Sequence, residues 1–292
     1  MPYKDITKKR ANDREYWKKV RGHGPEPTQL PIGTVKHLTD IKTPRNGLKI
    51  AFIPDVQAME DVPLDHLTAA GKYIAAKRPD VIVCIGDFGD FPSLSRFGSP
   101  LDREGLRYEK DVAAFHRAME LLMNPIAKVA GYDPWLEFTE GNHEGHIERY
   151  ADEHPEMKGK VKIGDLKLES YGWRVHPFLQ PVAIGGVAFC HYFPSGIMGK
   201  PITTARALMT KLHMSAVAGH QQDRDIAFGR RADGSHMTTI ISGSFYQHQY
   251  KYLSPFTNTH WRGMWFLNEV VDGRFDEMAL SIPYLLRRFG KA

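Results

Sequence analysis

The sequence predicts an α/β fold that turns α+β toward its C-terminal end, and three observations carry this. From Leu48 onward short apolar runs alternate with helical patterns, and past about Val187 the runs follow one another with little helix between them. In addition, five of the runs end alike, on acids, amides or histidines, three of them behind a glycine. A parallel sheet produces this regularity, because the carboxyl ends of its strands share one edge where loops distant in sequence meet.

The first 46 residues form a separate basic leader, and 47–292 form the body. Residues 4–21, "KDITKKRANDREYWKKVR", predict a helix on which Arg10, Arg14, Lys18 and Arg21 fall in one stripe. The proline- and glycine-rich "GHGPEPTQLPIG" then breaks any helix and makes a linker. Residues 1–49 hold 12 Lys and Arg against 5 Asp and Glu, whereas the remainder holds 27 against 29, so the +5 surplus belongs to the first sixth of the chain.

In the body, "LKIAFIP", "LDHLTAAGKYIAAK" and "DVIVCIG" read as a βαβ unit. Val112, Phe115, Met119, Leu122, Ile126 and Val129 then recur at spacings of three and four, a long helix that Pro125 is expected to kink or divide, with Met119 and Met123 as core filler. The strand "LEFTEG" follows, and later strands are "GVAFCH", "SAVAGH", "TTIISGS" and "GMWFLNEV", with "RRADGS" as a hairpin turn. Trp135, Trp173, Trp261 and Trp265 are expected to pack in the core or on the sheets.

Composition sets outer bounds. With 42% hydrophobic and 25% charged residues, 292 residues can bury a core without staples. Cys84 and Cys190 sit in apolar runs and read as buried reduced thiols. The amino terminus is charged from the start, and no apolar run approaches the ~20 residues of a membrane span, so a cytoplasmic protein is expected.

The strand ends collect the chemistry. "IPDVQ" contributes Asp55 and Gln57, "IGDFGD" Asp87 and Asp90, "EGNHE" Asn142 and His143, "CH" His191, and "GHQQ" His220 and Gln222. Such a set suits two metal ions: acidic oxygens can bridge cations, while an amide oxygen and neutral imidazoles complete the shells.

In order and spacing, "D55-V-Q57", "G86-D-F-G-D90", "G141-N-H-E144", "H191" and "G219-H-Q-Q222" resemble the five blocks of the calcineurin-like metallophosphoesterases. The resemblance spans residues 48 to about 270. It implies a four-layer αββα sandwich of two mixed sheets flanked by helices, and a dinuclear metal-dependent phosphoesterase. It further implies that Asp87 bridges the metals, that Asn142, His191 and His220 complete one site, and that Asp55 serves the other. Asp90 is implied to hold His143 in its productive tautomer, with Glu144 a candidate supporting residue.

Two departures from the family pattern concern one metal, because its second histidines in the first and last blocks stand here as Gln57 and Gln222. Strand alternation would place Asp55 and Gln57 on one face. Carbonyl oxygens would then replace imidazole nitrogens, giving an all-oxygen site that favours Mn²⁺ or Mg²⁺, beside a second site suited to Mn²⁺, Fe or Zn²⁺. Mn²⁺ activation is the expectation; a weakened, often vacant site is the alternative.

The expected mechanism is in-line attack on phosphorus by a hydroxide shared between the metals, with His143 protonating the leaving oxygen. The substrate is narrowed by two features. Ser/Thr phosphatases of this kind continue the second block as Asp-Arg-Gly, where this chain has Phe91 and Pro92, and the basic leader suits a phosphate backbone of DNA or RNA. Such leaders resemble those of phage-encoded DNA-processing proteins. A phosphodiesterase on nucleic acid or nucleotides is the leading expectation, followed by a phosphomonoesterase, and then by a nucleic-acid-binding protein with a degenerate metal site. Lys200, Arg206, Arg224, Arg230 and Arg231 near the last two blocks read as surface charges.

Overall fold

The computed structural model describes residues 34–96, 101, 104–250 and 259–290. The basic stripe of Arg10, Arg14, Lys18 and Arg21, with most of the linker, lies outside these residues.

Two six-stranded sheets form the centre. In the first, β2 (Leu48–Ile53), β3 (Val81–Cys84), β4 (Trp135–Thr139) and β5 (Arg174–His176) run parallel, and β13 (Gly263–Val271) and β14 (Arg274–Ser281) add an antiparallel ribbon beside β2. The second sheet has the order β1 (Lys36–His37), β6 (Val182–Ile184), β7 (Val187–Cys190), β10 (Ser215–Ala218), β12 (His236–Ser242) and β11 (Arg224–Arg230), with β7, β10 and β12 parallel. Both sheets are mixed, and a two-stranded hairpin, β8 (Pro194–Ser195) with β9 (Lys200–Pro201), stands apart.

Residue parity explains the layering. Ile50 and Phe52 of β2, with Val81 and Val83 of β3, face the second sheet and pack with Val187, Phe189, Val217 and Ile240. Ala51, Ile53, Ile82 and Cys84 face the other way, against α1 (Asp65–Lys77) and α2 (Tyr108–Ala127). On the far side, Ala188, Cys190, Ala216 and Ala218 are covered by α5 (Ala205–Leu212). Strands buried on both faces read as unbroken apolar runs, which is why they were legible as β. The order helix, sheet, sheet, helix is the four-layer αββα sandwich.

Other details depart from the sequence reading. Residues 36–41, assigned to the leader, belong to the body: β1 pairs with β6, Leu38 and Ile41 are buried between the sheets, and Asp40 pairs with Arg174. The expected boundary at 46/47 therefore falls too late, since the hydrophobic contact is made before the first long strand begins. Pro125 does not divide its helix, which runs unbroken over Tyr108–Ala127. It sits in the last turn of α2, where its missing N–H removes a single bond close to the helix end. Trp173 and Trp265 are buried, whereas Trp135 is 36% exposed at the start of β4, with the Arg174 guanidinium 5.3 Å from its ring centre. Several elements had no sequence expectation, among them β1, β5, β6, the β8–β9 pair, β14, the short helix α4 (Leu168–Tyr171), α5 and the C-terminal α6 (Ile282–Phe289).

Met119 and Met123 are core residues, and Cys84 and Cys190 are buried free thiols. Among the described residues, no helix is long and apolar enough to cross a membrane.

Helices α1 and α2 approach closely at Gly71, where a Cβ would lie 2.3 Å from the Leu122 carbonyl oxygen and 3.1 Å from Pro125 Cγ. Gly71→Ala should force the helices apart and lower stability by about 1–3 kcal/mol, the usual range for overpacking. Urea unfolding measures it; an unchanged midpoint would mean the pair yields freely there.

Candidate metal and active site

All five polar strand ends reach one place. β2, β3 and β4 are parallel neighbours in one sheet and β7 and β10 in the other, so their carboxyl ends deliver residues 55–57, 87–90, 142–143, 191 and 220–222 to the same edge of the sandwich. The loops after β2 and β3 continue side by side: Gln57 N–H donates to Asp87 O at 2.9 Å, Ala58 N–H to Phe88 O at 2.9 Å, and Asp90 N–H to Ala58 O at 3.0 Å.

The backbone there is strained. Gln57, Asp87, His220 and Gln222 all have positive φ, between 45° and 66°. Non-glycine residues in the left-handed region cost about 1–3 kcal/mol each and persist where surrounding contacts over-determine them. Gln57 thus turns away from strand geometry, and alternation along β2, which ends at Ile53, is not what places it near Asp55. The glycines of the blocks serve close approach. A Cβ on Gly141 would lie 2.1 Å from Asp87 Oδ1, and one on Gly219 would lie 2.5 Å from Asp55 Oδ2.

Asp87 is central and buried. It accepts the His143 backbone N–H at 2.9 Å on Oδ1, while Oδ2 lies 3.2 Å from His191 Nε2 and 3.7 Å from His143 Nε2. Burial alone would raise its pKa, but the His191 and His143 rings outweigh burial and hold it below the usual carboxylate range. At Asp55 burial wins instead and pushes the pKa up to about 7, against the opposing pull of the His191 ring and of the His220 N–H, which lies 3.1 Å from both carboxylate oxygens.

Around Asp87 the donor chemistry tests whether a cation fits. His191 Nδ1 faces the Ile85 carbonyl at 2.9 Å and must be its donor, so in the neutral ring Nε2 presents a lone pair. That atom lies 2.9 Å from Asn142 Oδ1 and 3.3 Å from His220 Nδ1, and the latter two are 2.8 Å apart. Four ligand-type atoms therefore converge with no fixed donor among them, an arrangement that a divalent ion satisfies. Among the described residues, Asp87, His191 and His220 form a cluster whose ligand atoms lie within 4.8 Å of one another.

His143 stands beside this knot on α3 (Asn142–Glu153), its side chain about one-fifth exposed. Its Nδ1 is 2.6 Å from the Asp90 carbonyl oxygen and 3.0 Å from Asp90 Oδ1. Burial would lower its pKa, but Asp87 and Asp90 overcome burial and raise it to about 10.

Sequence reasoning undervalued Glu144 and missed the segment after β12. The buried Glu144 carboxylate accepts the N–H groups of Asp87 (2.8 Å), Phe88 (2.9 Å), Gly89 (3.3 Å) and Gly141 (2.8 Å), which joins the second block to the third. After β12, Phe245 N–H donates to Asp55 O at 2.9 Å, and His66 Nε2 bonds Phe245 O at 2.8 Å. Tyr246 and Tyr250 donate to Gln222 Oε1 and Gln57 Oε1 at 2.8 and 2.6 Å. The available signal was position: "TTIISGS" is a sixth strand parallel to β10, and an aromatic, polar run follows it. Of the flanking cations, Arg206 and Arg231 bond the carbonyls of Phe228 and His213, and Arg224 lies over Trp261 and Trp265, so none of these three turns toward Asp87.

The pattern of the calcineurin-like phosphoesterases matches residues 48–195, half of the chain. This chain belongs to that family. The matched region holds the first four blocks and stops before His220. The chain is also 26% identical over 204 residues to the Gene 54 protein of Mycobacterium phage D29, covering 66% of this chain and 76% of the relative. It is 27% identical over 189 residues to the Gene 54 protein of Mycobacterium phage L5, covering 61% and 70%. These are phage proteins, in accord with the expected phage affinity. Membership makes the chain a hydrolase that cleaves phosphoesters with the help of metal.

Glu144→Ala would leave four buried N–H groups without an acceptor. At about 1–3 kcal/mol for each buried donor left unpaired, the loss should reach at least about 3 kcal/mol, with reduced metal retention. Urea unfolding and metal analysis of the same sample check this; a stable variant with full metal content would show that the clamp is dispensable.

Proposed function

We propose that the protein is a phosphodiesterase acting on nucleic acid or nucleotides, with Asp87, Asn142, His191 and His220 holding one divalent cation and Asp55, Asp87, Gln57 and Gln222 a second. Mn²⁺ suits both donor sets, the second because it is built from oxygen alone. When bound, such cations neutralise charge on the phosphoryl oxygens and acidify water.

The observation that carries the reading is the fixed orientation of His143. With Nδ1 turned to Asp90, its other nitrogen lies on the Asp87 side, free to give a proton to a departing oxygen. Asp90 keeps that nitrogen aimed and the ring protonated. Strained loops and buried carboxylates hold the remaining groups in place before substrate arrives, which is how fixed electrostatics lower a barrier.

Preference for a diester of nucleic acid is supported by the surplus of basic residues in the leader and by Phe91-Pro92, which stands after Asp90 where the Ser/Thr phosphatases have Arg-Gly. The proposed setting is the cytoplasm of the host cell.

His143→Ala should lower turnover by about 10²–10⁴-fold, the usual worth of a placed general acid, while metal content stays at the wild-type level. Equal loss of both would reassign His143 to the metal shell. Hydrolysis of bis(p-nitrophenyl) phosphate beside p-nitrophenyl phosphate, on metal-stripped protein given Mn²⁺, Mg²⁺ or Zn²⁺, tests the reaction class. Faster Mn²⁺-dependent cleavage of the diester is expected. Preference for the monoester would make the protein a phosphatase, and no turnover with any ion would leave a binding protein.

A further inference from the structure

The two glutamines that stand where the family has histidines are each held by a tyrosine, and in the same way. Tyr250 donates its hydroxyl to Gln57 Oε1 and Tyr246 donates to Gln222 Oε1. Both tyrosines are buried, and both come from the short segment that Phe245 pins to Asp55 and His66. Among the described residues, neither glutamine nitrogen is hydrogen-bonded to Asp55 or Asp87.

That last point sets the sign of the effect. A primary amide has a donor end and an acceptor end of nearly the same shape. Within reach of a carboxylate such as that of Asp55, an unheld amide would turn its N–H₂ toward the acid, because a donor against an anion is the stronger bond. Turned so, it would satisfy the acid and present hydrogens where a cation should sit. A phenol that donates to the oxygen holds the amide against that rotation, and the oxygen keeps a second lone pair.

We propose that Tyr246 and Tyr250 are positioning residues for a divalent cation beside Asp55: their hydroxyls lock Gln57 and Gln222 in the orientation that keeps amide hydrogens off the carboxylates and leaves oxygen for the ion. This rests on the two-cation reading above and adds the reason that a Gln-for-His site can bind. Outer groups that orient ligands are generally worth about 10–100-fold in metal affinity.

The test is Mn²⁺ titration of metal-stripped, full-length protein, following free Mn²⁺ by its electron paramagnetic resonance signal and bound metal by mass spectrometry. Wild type should take two ions. Tyr246→Phe and Tyr250→Phe should each weaken one of them by about 10–100-fold and leave the other unchanged, which also shows that the variants are folded. In a Gln57→Glu background the Tyr250→Phe change should alter affinity by no more than about twofold, the ordinary scatter of such cycles, because a carboxylate has no N–H to turn inward. A merely structural tyrosine would cost the same in both backgrounds. Phe variants that bind both ions as tightly as wild type or more tightly, or an undiminished loss in the Gln57→Glu background, would overturn the inference and leave the two-cation reading standing. A wild-type protein that takes one ion would overturn both.

Discussion

Four backbone N–H groups from two separate loops end on one buried carboxylate, Glu144, and the active edge of the molecule depends on that convergence. A charge wholly out of water is costly unless it is paired or fully hydrogen-bonded. Burial and the nearby Asp87 push the Glu144 pKa up, and the N–H groups of Gly141 and Asp87 oppose that push. The same bonds set the relative position of Asp87, delivered by β3, and of Asn142 and His143, delivered by α3 after β4. A small shift in this clamp would move the central acid and its histidine together.

The sandwich supplies what the clamp needs. Because β2 and β3 are apolar on both faces, they are held by two cores at once, and the loops leaving them can carry strain that isolated turns could not. Left-handed residues at Gln57, Asp87, His220 and Gln222 are the visible form of that strain. It brings carboxylates into contact with the backbone of neighbouring loops, as at Gly141 and Gly219, where a larger residue would not fit. Packing thus becomes preorganisation.

Around this frame, two kinds of surroundings meet at Asp87. On the side of His191, Asn142 and His220, an amide oxygen and two ring nitrogens lie within 3.3 Å of one another. On the Asp55 side, oxygens dominate and a segment from the far end of the chain closes over them through Phe245, Tyr246 and Tyr250. In the proposed two-cation reading, the contrast in ligand chemistry follows from Gln57 and Gln222, which stand where the family pattern has histidines, and from the phenols that bond them. Each glutamine and its tyrosine form one unit, so neither residue can be understood without its partner.

The sequence by itself determined the fold class, the strands buried on both faces, and the five polar strand ends, because these depend on local periodicity and on the rule that parallel strands share an edge. Asp87, Asn142, His143, His191 and His220 were legible for that reason. Only the tertiary structure decided that residues 36–41 belong to the body, that Pro125 leaves its helix whole, that Glu144 binds two loops, and that Tyr246 and Tyr250 hold the glutamines. Each of these rests on a contact between residues remote in sequence: 57 residues separate Asp87 from Glu144 and 193 separate Gln57 from Tyr250. Periodicity carries no record of such pairs. Short elements such as β5 and β6 were hidden for a related reason, since three residues are too few to show a period and are held in place by the neighbours they pair with.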